Sequence, residues 1–518
     1  MTSLAFPRDV TRSRRSGVST ILEQRGSDVM IAVALTLLVA ALLSRMAGAF
    51  NVDSWLALAD GRFIAGHGLP HHDTLTALGR GTRWVDQQWL AQLAEYGLYR
   101  AGGLALVGVV NVFVFIVPFA AAVVVARRHG ARFAALVPVL PIAVLLVVPA
   151  REVRTQDLAV PLFVAIAAML CMDSRVPSRR VYWCLPLLAL WANLHGTVSI
   201  GVMLVAARGL TLAIERRALL RRSGRAWLRP ALLVFAAPAA ALVTPYGISM
   251  VAYYRATLGS SMLRQWVSEW QPISSEPLLA IGVLALVVLG AWACWRRPAA
   301  TTMWEKLALM ALTAGSVLVV RNVLFLALLA LMTIPVALNP PARGGSPSPS
   351  ARGGVAQPVP ARAAVYALLA GLAVTALVLS ATFALTQSDA SLAATGARPG
   401  VLGAVARATT ADRSLRVLAD GTLSDWLLWE DPALAGRIAA DARFEIYSAA
   451  QVDRVETALL DIGGRWHADA AGYRLVVLER AADTPTMRAL LREPGHRVLF
   501  ADRADIVILR SAREASRP

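Results

Sequence analysis

Residues 28–60, DVMIAVALTLLVAALLSRMAGAFNVDSWLALAD, join a long apolar run to a segment that suddenly becomes polar. The run over 28–49 is long enough to cross a bilayer, which takes roughly 20 helical residues. Basic residues precede it and no small-residue cleavage site follows it, which predicts a retained first membrane span rather than a removed signal peptide. Asp53 then lies close to the expected membrane surface, where a carboxylate is costly unless it is paired or used.

The rest of the 518-residue chain has the same apolar character. Hydrophobic residues make up 57% of it and charged residues 16%, and the mean hydropathy is +0.57, which is too apolar for a soluble globular protein. The formal net charge of +18 could attract nucleic acid, but the arginines form short clusters between apolar runs instead of one basic face. We therefore expect a multi-pass membrane protein with no nucleic-acid partner.

Apolar runs of spanning length predict about eleven transmembrane helices. They lie near 28–49, 103–126, 133–150, 157–173, 182–197, 199–214, 230–245, 277–295, 304–320, 322–338 and 364–385. Arginine clusters at 127–132, 175–180, 216–229 and 296–297 fall on the same side as the basic N-terminus, which the positive-inside rule assigns to the cytoplasm.

This threading divides the chain into five parts. They are a cytoplasmic tail (1–27), a transmembrane core (28–338) with a large first outer loop (50–102), a Pro/Gly/Ser-rich cytoplasmic linker (339–363), a last transmembrane helix (364–385) and an extracytoplasmic domain (386–518). In the last part, strand-like runs at 473–480 and 504–510 and a helical pattern at 449–462 predict a small α/β domain. The predicted fold is thus an all-α polytopic membrane domain with a small C-terminal extracytoplasmic α/β domain.

The polar residues of the first outer loop allow more than one interpretation. Asp53 is either a general base beside a membrane-borne substrate or the cap of an interfacial helix whose apolar face, including Trp55, lies on the bilayer. His71, His72 and Asp73 could bind metal or substrate or form a solvated loop, but adjacent histidines lack the usual ligand spacing for zinc.

Several motifs resemble those of GT-C type integral membrane glycosyltransferases, and more closely a set of bacterial membrane proteins of that type. The shared elements are D-x-W at 53–55, G-x-P-x-x-D at 68–73, W-x-x-x-x-W-L at 84–90, WANLHG at 191–196, PYG at 245–247, SEWQP at 268–272, and DWLLWEDP and GRIAADARFEIY within 425–447. The resemblance covers most of the chain. It implies transfer of a sugar from a polyprenyl-phosphate donor to a cell-envelope glycan or lipid acceptor, on the outer face of a bacterial cytoplasmic (inner) membrane.

The resemblance also implies roles for individual residues. Asp53 matches the acidic position of the first loop and is the expected catalytic base, with Asp73 and Asp86 as second and third choices. Asp73 and Asp86 are also candidates for contacts with the donor or acceptor. The other candidates for such contacts are Trp55, His71, His72, Gln88, Arg154, His195, Glu269 and Arg321.

Three of these candidates also have ordinary explanations. Arg321 could snorkel to the interface instead of binding phosphate, His195 could be a hydrogen-bonded helix end, and the tryptophans that flank Glu269 could form an interfacial belt. The DARFE segment (441–445) is either structural or helps to hold an acceptor.

Many GT-C enzymes place two acidic residues close together in the first loop. Here the next carboxylate after Asp53 is Asp60, expected to face solvent at the end of the same helix. No metal site is predicted, and a divalent cation stays possible. Two other functional classes also stay open: a flippase for a lipid-linked substrate, which would carry polar or broken helices in mid-membrane, and a non-catalytic cell-envelope scaffold.

Overall fold

A computed structural model of the chain describes residues 9–147, 152–217, 224–339, 359–393, 398–460, 466–480 and 485–515. The membrane part is helical. Its helices are α1 (Asp9–Leu43), α2 (Val52–His67), α3 (Trp89–Arg128), α4 (Phe133–Leu136), α5 (Leu140–Val147), α6 (Val160–Arg175), α7 (Cys184–Leu194), α8 (Val198–Glu215), α9 (Leu228–Ala240), α10 (Ser249–Leu258), α11 (Ser261–Trp266), α12 (Pro277–Arg296), α13 (Met303–Leu318), α14 (Val323–Leu338) and α15 (Val359–Leu385). Most of the linker predicted at 339–363 lies outside the described residues.

Within the described ranges, seven helices are long and apolar enough to cross a membrane. They coincide with seven of the predicted spans and confirm a multi-pass membrane protein. The other four predictions, near 133–150, 182–197, 230–245 and 304–320, fall on shorter helices: α4 with α5, α7, α9 and α13. The total of eleven therefore stays a prediction, as does the orientation of the termini.

Helix α14 forms the centre of the membrane domain. Every residue from Phe325 to Ala337 is buried, so the helix is surrounded by protein on all sides. Its sequence, VLFLALLALMTIPVAL, is apolar around its whole circumference, as expected for a helix with no polar exposure. Phe325 packs edge-on against Phe163, with 4.9 Å between ring centroids, and this contact joins α14 to α6.

Helix α3 is interrupted between the first outer loop and the membrane. Gly103 has a φ of +67°, a left-handed conformation that favours glycine, and it separates the outer-loop half of α3 from the apolar half. The predicted span at 103–126 begins at this break. The backbone N–H of Leu104, just beyond it, donates to Asp389 Oδ1 at 3.3 Å.

The C-terminal part forms a four-stranded mixed sheet with helices on both faces. Its elements are α16 (Asp389–Leu392), α17 (Pro399–Ala411), β1 (Val417–Leu418), α18 (Gly421–Glu430), α19 (Ala449–Leu460), α20 (Trp466–Asp469), β2 (Leu475–Glu479), α21 (Pro485–Leu490), β3 (Arg497–Ala501), β4 (Asp505–Leu509) and α22 (Ala512–Ala515). The strand order is β1-β2-β4-β3, with β1 parallel to β2 and the other pairs antiparallel. The predicted small α/β domain is confirmed; the sequence patterns missed β1 and β3.

Alternation along β2 places its two faces in different hydrophobic clusters. Leu475 and Val477 pack toward the first outer loop and α18, whereas Val476 and Leu478 pack toward α19 and α20. The sheet therefore separates a layer that contacts the membrane domain from a layer that lies farther out.

The first outer loop is packed against this domain. The N–H of Ala77 donates to the carbonyl of Ile438 at 2.7 Å, and the N–H of Gly436 donates to that of Leu75 at 2.7 Å. Helix α2 packs on α18, and Trp55, Leu56 and Leu58 are buried in protein. The alternative of an interfacial helix with these side chains on the bilayer is thus wrong: the C-terminal domain, not the lipid, covers Trp55 and Leu58.

Candidate functional site

A cavity of about 520 Å³ lies where the first outer loop, the membrane helices and the C-terminal domain meet. The first residues of α2 and α8, the segment before α6 and the turn before α14 contribute to its wall. From the arginine clusters, the positive-inside rule predicts that these helix ends face the outside, an orientation that stays a prediction. The beginnings of α2 and α8 also bring the partial positive charge of helix N-termini to the cavity.

Six residues predicted from sequence line this one cavity: Asp53, Gln88, Arg154, His195, Glu269 and Arg321. They come from five distant parts of the chain. Gln88 Oε1 accepts a hydrogen bond from Thr155 Oγ1 at 2.9 Å, which ties the first outer loop to the start of the segment leading into α6.

Asp53 lies in the first turn of α2 and is not the cap of that helix. The N-cap is Asn51, whose backbone N–H donates to Ser54 Oγ at 3.3 Å; the Ser54 hydroxyl in turn donates to the carbonyl of Val153 at 2.6 Å. The Asp53 side chain is 46% exposed and its Oδ2 lies 3.5 Å from Arg154 Nε. Of the two alternatives for Asp53, the capping one is therefore wrong.

Arg154 is the electrostatic centre of the cavity. Its guanidinium pairs with Asp53, Glu152 and Glu269, and its side chain is 23% exposed. Burial opposes its charged form, but the carboxylates of Asp53 and Glu152 outweigh this effect and raise the pKa of Arg154. The cation is thus held in place at the edge of the membrane by carboxylates from three segments.

Arg321 faces the same cavity instead of snorkelling away from it. Its Nε and Nη2 both donate to Gln156 Oε1, at 3.1 and 2.7 Å, and its Nη2 lies 3.9 Å from Glu269 Oε2. The guanidinium also lies over the ring of Trp270, 5.5 Å from its centroid. Glu269 therefore sits between the two arginines, and Trp270 next to it contributes to the site.

His195 ends α7 and is 7% exposed. The backbone N–H of Thr197 donates to His195 Nδ1 at 3.2 Å, so Nδ1 is an acceptor and the neutral ring carries its proton on Nε2. Burial, Arg321 and Arg154 all lower the pKa of His195 well below its usual value. His195 is thus both a hydrogen-bonded helix end and a neutral N–H donor in the wall of the cavity.

The C-terminal domain closes the cavity with residues of the DARFE segment, for which the sequence left open either a structural role or a contact with an acceptor. The loop Ala442–Glu445 lines it, and burial raises the pKa of the Glu445 carboxyl. Tyr253 and Tyr254, from a helix that contacts this loop, also line the wall, and Tyr254 Oη makes no hydrogen bond with any described residue. Tyrosines in a polar outer loop and the DARFE segment were the signals available in the sequence.

Five other predicted residues lie elsewhere. Trp55 is 2% exposed and points away from the Arg154 cavity into the core behind α2. His71 and His72 are exposed on a turn outside the cavity. This turn is held by a hydrogen bond from Tyr246 Oη to the carbonyl of Pro70 at 2.9 Å. The PYG motif that contains Tyr246 thus supports the first outer loop.

The remaining two, Asp73 and Asp86, are buried outside the cavity. Asp73 accepts hydrogen bonds from the backbone N–H groups of Leu75 and Thr76. It also forms an ion pair with Arg443, with 2.8 Å between Asp73 Oδ1 and Arg443 Nη2. Neither residue reaches Asp53, so the structure provides neither as a second base in this cavity.

The carboxylates around Asp53 do not form a metal site. No three His, Cys, Asp or Glu side chains in the described ranges converge closely enough to hold a metal ion. Asp60 is buried, not solvent-exposed as expected, and accepts a hydrogen bond from Gln92 Nε2 at 3.2 Å. Asp53, Glu152 and Glu269 are each paired with Arg154. The donor set thus does not fit a divalent cation.

Asp86 provides a test of the electrostatics beside the cavity. Burial raises the pKa of its carboxyl from 3.8 to about 7. Between these two pH values the folded state keeps a proton that the unfolded chain has already released. Stability contributed by this proton is present at low pH and is lost as the pH rises toward 7. The neutral Asp86→Asn side chain cannot ionise, and its oxygen can still accept from the N–H of Gln88.

We expect the stability of Asp86→Asn relative to the wild type to increase by about 1.4 kcal/mol per pH unit between the two pKa values. Unfolding curves in detergent at pH 5, 6 and 7 measure this difference. For the control Asp453→Asn, which changes an exposed residue, the stability difference from the wild type should not change with pH. A stability difference between Asp86→Asn and the wild type that stays constant from pH 5 to 7 would contradict a buried protonated Asp86.

Comparisons with known proteins identify similar folds. An oligosaccharyltransferase from Archaeoglobus fulgidus, tethered with an acceptor peptide containing the NVT sequon, has a TM-score of 0.50 at 10% identity over 87% of this chain and 69% of its own. ArnT from Cupriavidus metallidurans, bound to undecaprenyl phosphate, has a TM-score of 0.48 at 15% identity, covering 95% of this chain and 99% of its own.

A third structure, the oligosaccharyltransferase AglB from Archaeoglobus fulgidus with an inhibitory peptide and a dolichol-phosphate, has a TM-score of 0.48 at 10% identity, over 88% of this chain and 70% of its own. No protein-family model and no curated protein matches the sequence. At these identities the similarity concerns the fold, and the match at 0.50 confirms the GT-C-like architecture that the motifs implied.

Proposed function

We propose that this protein is a membrane glycosyltransferase that moves a sugar from a polyprenyl-phosphate donor to a hydroxyl of a cell-envelope glycan or lipid on the outer face of the membrane. The observation that carries the proposal is the convergence of Asp53, Arg154, His195, Glu269 and Arg321 on one cavity at the ends of the membrane helices. The fold shared with an oligosaccharyltransferase supports it as an architecture in which sugar transfer occurs.

The chemistry follows from the charges in the cavity. The acceptor oxygen attacks the anomeric carbon of the donor sugar, its proton passes to the Asp53 carboxylate, and the bond between that carbon and the phosphate oxygen breaks. The departing polyprenyl phosphate gains negative charge. Arg154 and Arg321 supply fixed positive charge for it, and neutral His195 donates a hydrogen bond from its Nε2–H.

The position of Asp53 suits this role. Its carboxylate is half-exposed in the cavity, and the ion pair with Arg154 Nε at 3.5 Å places the base next to a phosphate-binding cation. A phosphate bound by Arg154 would therefore hold its sugar close to the base, which makes the attack effectively intramolecular.

Arg321 provides the test of this function. Purified protein is incubated with a panel of radiolabelled polyprenyl-phosphate sugars and cell-envelope acceptors, and both label transfer and free polyprenyl phosphate are measured. We expect activity with at least one donor and a loss of about 10²-fold in Arg321→Gln, because one charge-stabilising donor is removed. The exposed control Arg407→Gln should retain wild-type activity.

Movement of intact donor across the bilayer of proteoliposomes, with no release of polyprenyl phosphate, would contradict the proposal and identify a flippase. Equal activity of Arg321→Gln and wild type would contradict the role of Arg321 in binding the phosphate.

A further inference from the structure

The Glu269 carboxylate lies between the two arginines to which the proposed mechanism assigns the donor phosphate. It forms an ion pair with Arg154, and its Oε2 lies 3.9 Å from Arg321 Nη2. Glu269 lines the cavity, and its side chain is 20% exposed. Among the described residues, no group other than these two guanidiniums forms an ion pair or a hydrogen bond with this carboxylate.

The two arginines are surrounded by more carboxylates than they can neutralise. Asp53, Glu152 and Glu269 carry three negative charges, whereas Arg154 and Arg321 carry two positive charges. Like charges within about 4 Å of each other repel more strongly at the edge of a protein than in bulk water, because the effective dielectric constant is lower. A phosphate that binds both arginines therefore gains most when one carboxylate moves away.

The positions of the three carboxylates indicate that Glu269 is the one that moves. Asp53 is fixed in the first turn of α2, and Glu152 pairs with Arg154 but not with Arg321. Of the three, Glu269 alone is within 4.0 Å of both guanidiniums. An anion that bridges the two guanidiniums would occupy the same space as the Glu269 carboxylate.

Glu269 can leave the arginines without a change in the fold. It lies in a single 3₁₀ turn, Ser268–Trp270, in the segment that joins α11 to α12. The backbone beside this turn is held by a hydrogen bond from the N–H of Val320 to the carbonyl of Gln271 at 3.0 Å. Rotation about the side-chain bonds of a glutamate moves its carboxylate while the backbone stays in place. Displacement therefore requires only a change of rotamer.

We propose that Glu269 is an internal competitor for the phosphate of the lipid donor. This inference rests on the proposed function, which identifies the anion as a polyprenyl phosphate. In the empty site the carboxylate neutralises Arg154 and Arg321, and binding of the phosphate displaces it. Cleavage of the sugar–phosphate bond leaves a product with more negative charge than the donor, which the arginines hold more tightly. Return of Glu269 to the arginines then favours release of this product.

Binding of farnesyl phosphate, a short polyprenyl phosphate, tests the inference. Isothermal titration calorimetry on the full-length protein in detergent gives its affinity for the wild type and for Glu269→Gln, which keeps the size of the side chain but removes its charge. We expect Glu269→Gln to bind at least about tenfold more tightly, because no carboxylate has to be displaced. Loss of a merely structural contact would not raise the affinity. Farnesol, which lacks the phosphate, should show no such gain.

The matched control is Glu276→Gln, which removes an exposed carboxylate near Glu269 in the sequence but outside the cavity and should bind as the wild type does. Glu269→Ala also removes the charge and provides the same test if Glu269→Gln does not fold. Equal or weaker binding by the Glu269 variants would overturn the inference and leave the proposed function intact. Absence of binding to the wild type and to the variants would contradict the phosphate site on which both proposals depend.

Discussion

Replacement of Asp53 by asparagine is expected to slow sugar transfer by about 10²- to 10⁴-fold, the usual contribution of a general base. The substitution keeps the shape of the side chain but removes its capacity to take the acceptor proton. Folding should be unaffected, because Asn51 and not Asp53 caps α2, and Arg154 keeps its pairs with Glu152 and Glu269.

The rate of label transfer from a polyprenyl-phosphate sugar measures this effect, and the elution volume and unfolding temperature of the variant verify its folding. Asp453→Asn makes the same chemical change at an exposed position outside the cavity and should leave the rate unchanged. Asp53→Glu should recover part of the activity, since it keeps a carboxylate that is displaced by one methylene. Turnover of Asp53→Asn at the wild-type rate would remove Asp53 from the mechanism.

Replacement of Arg443 by methionine is expected to destabilise the protein by about 3–5 kcal/mol, because it leaves buried carboxylates without their cation. Arg443 is 2% exposed, and its Nε donates to Asp441 Oδ2 and its Nη2 to Asp73 Oδ1, both at 2.8 Å. Burial alone would lower its pKa, but Asp441, Asp60 and Asp73 raise the pKa of Arg443 well above its usual value.

The same substitution should also reduce sugar transfer, because Arg443 anchors the loop that carries Glu445 into the cavity. Its guanidinium lies 4.1 Å from the centroid of the Trp84 ring, so the loop is attached to the first outer loop by stacking as well as by charge. Loss of the anchor would allow the C-terminal wall of the cavity to separate from the membrane domain.

Urea unfolding in detergent, followed by tryptophan fluorescence, gives the stability difference. The control Arg492→Met removes an exposed arginine of the same domain and should cost little. The double variant Arg443→Met/Asp73→Asn should regain part of the lost stability, because one of the uncompensated charges is also removed. Equal free energies of unfolding for Arg443→Met and Arg492→Met would contradict a stabilising role of the ion pairs that Arg443 forms with Asp441 and Asp73.

The candidate site shows how far local sequence information reaches. Asp53, Arg154 and Arg321 stand out because each is a charged residue at the end of an apolar run, and all three line the cavity. Glu445 belongs to the DARFE segment, for which the sequence left both a structural role and an acceptor contact open, since one glutamate in a domain rich in charged residues has no distinguishing local pattern. Asp73 was a candidate because no basic residue near it in the sequence could pair with it. In the structure Arg443, 370 residues later, forms an ion pair with it.

The sequence by itself determined the class of protein. A membrane span requires about 20 consecutive apolar residues, so hydropathy alone establishes the seven spans of full length found in the described residues. Short apolar runs rich in β-branched residues establish strands β2 and β4. Only the tertiary structure decided which polar residues meet. That choice depends on how α2 is enclosed by α3 and α18. Asp53 and Trp55 lie two residues apart in one turn of α2, so Asp53 faces the cavity around Arg154 and Trp55 faces the core on the other side of the helix. Long-range packing controls such pairings, because an ion pair needs two side chains within about 4 Å whatever their separation in the chain.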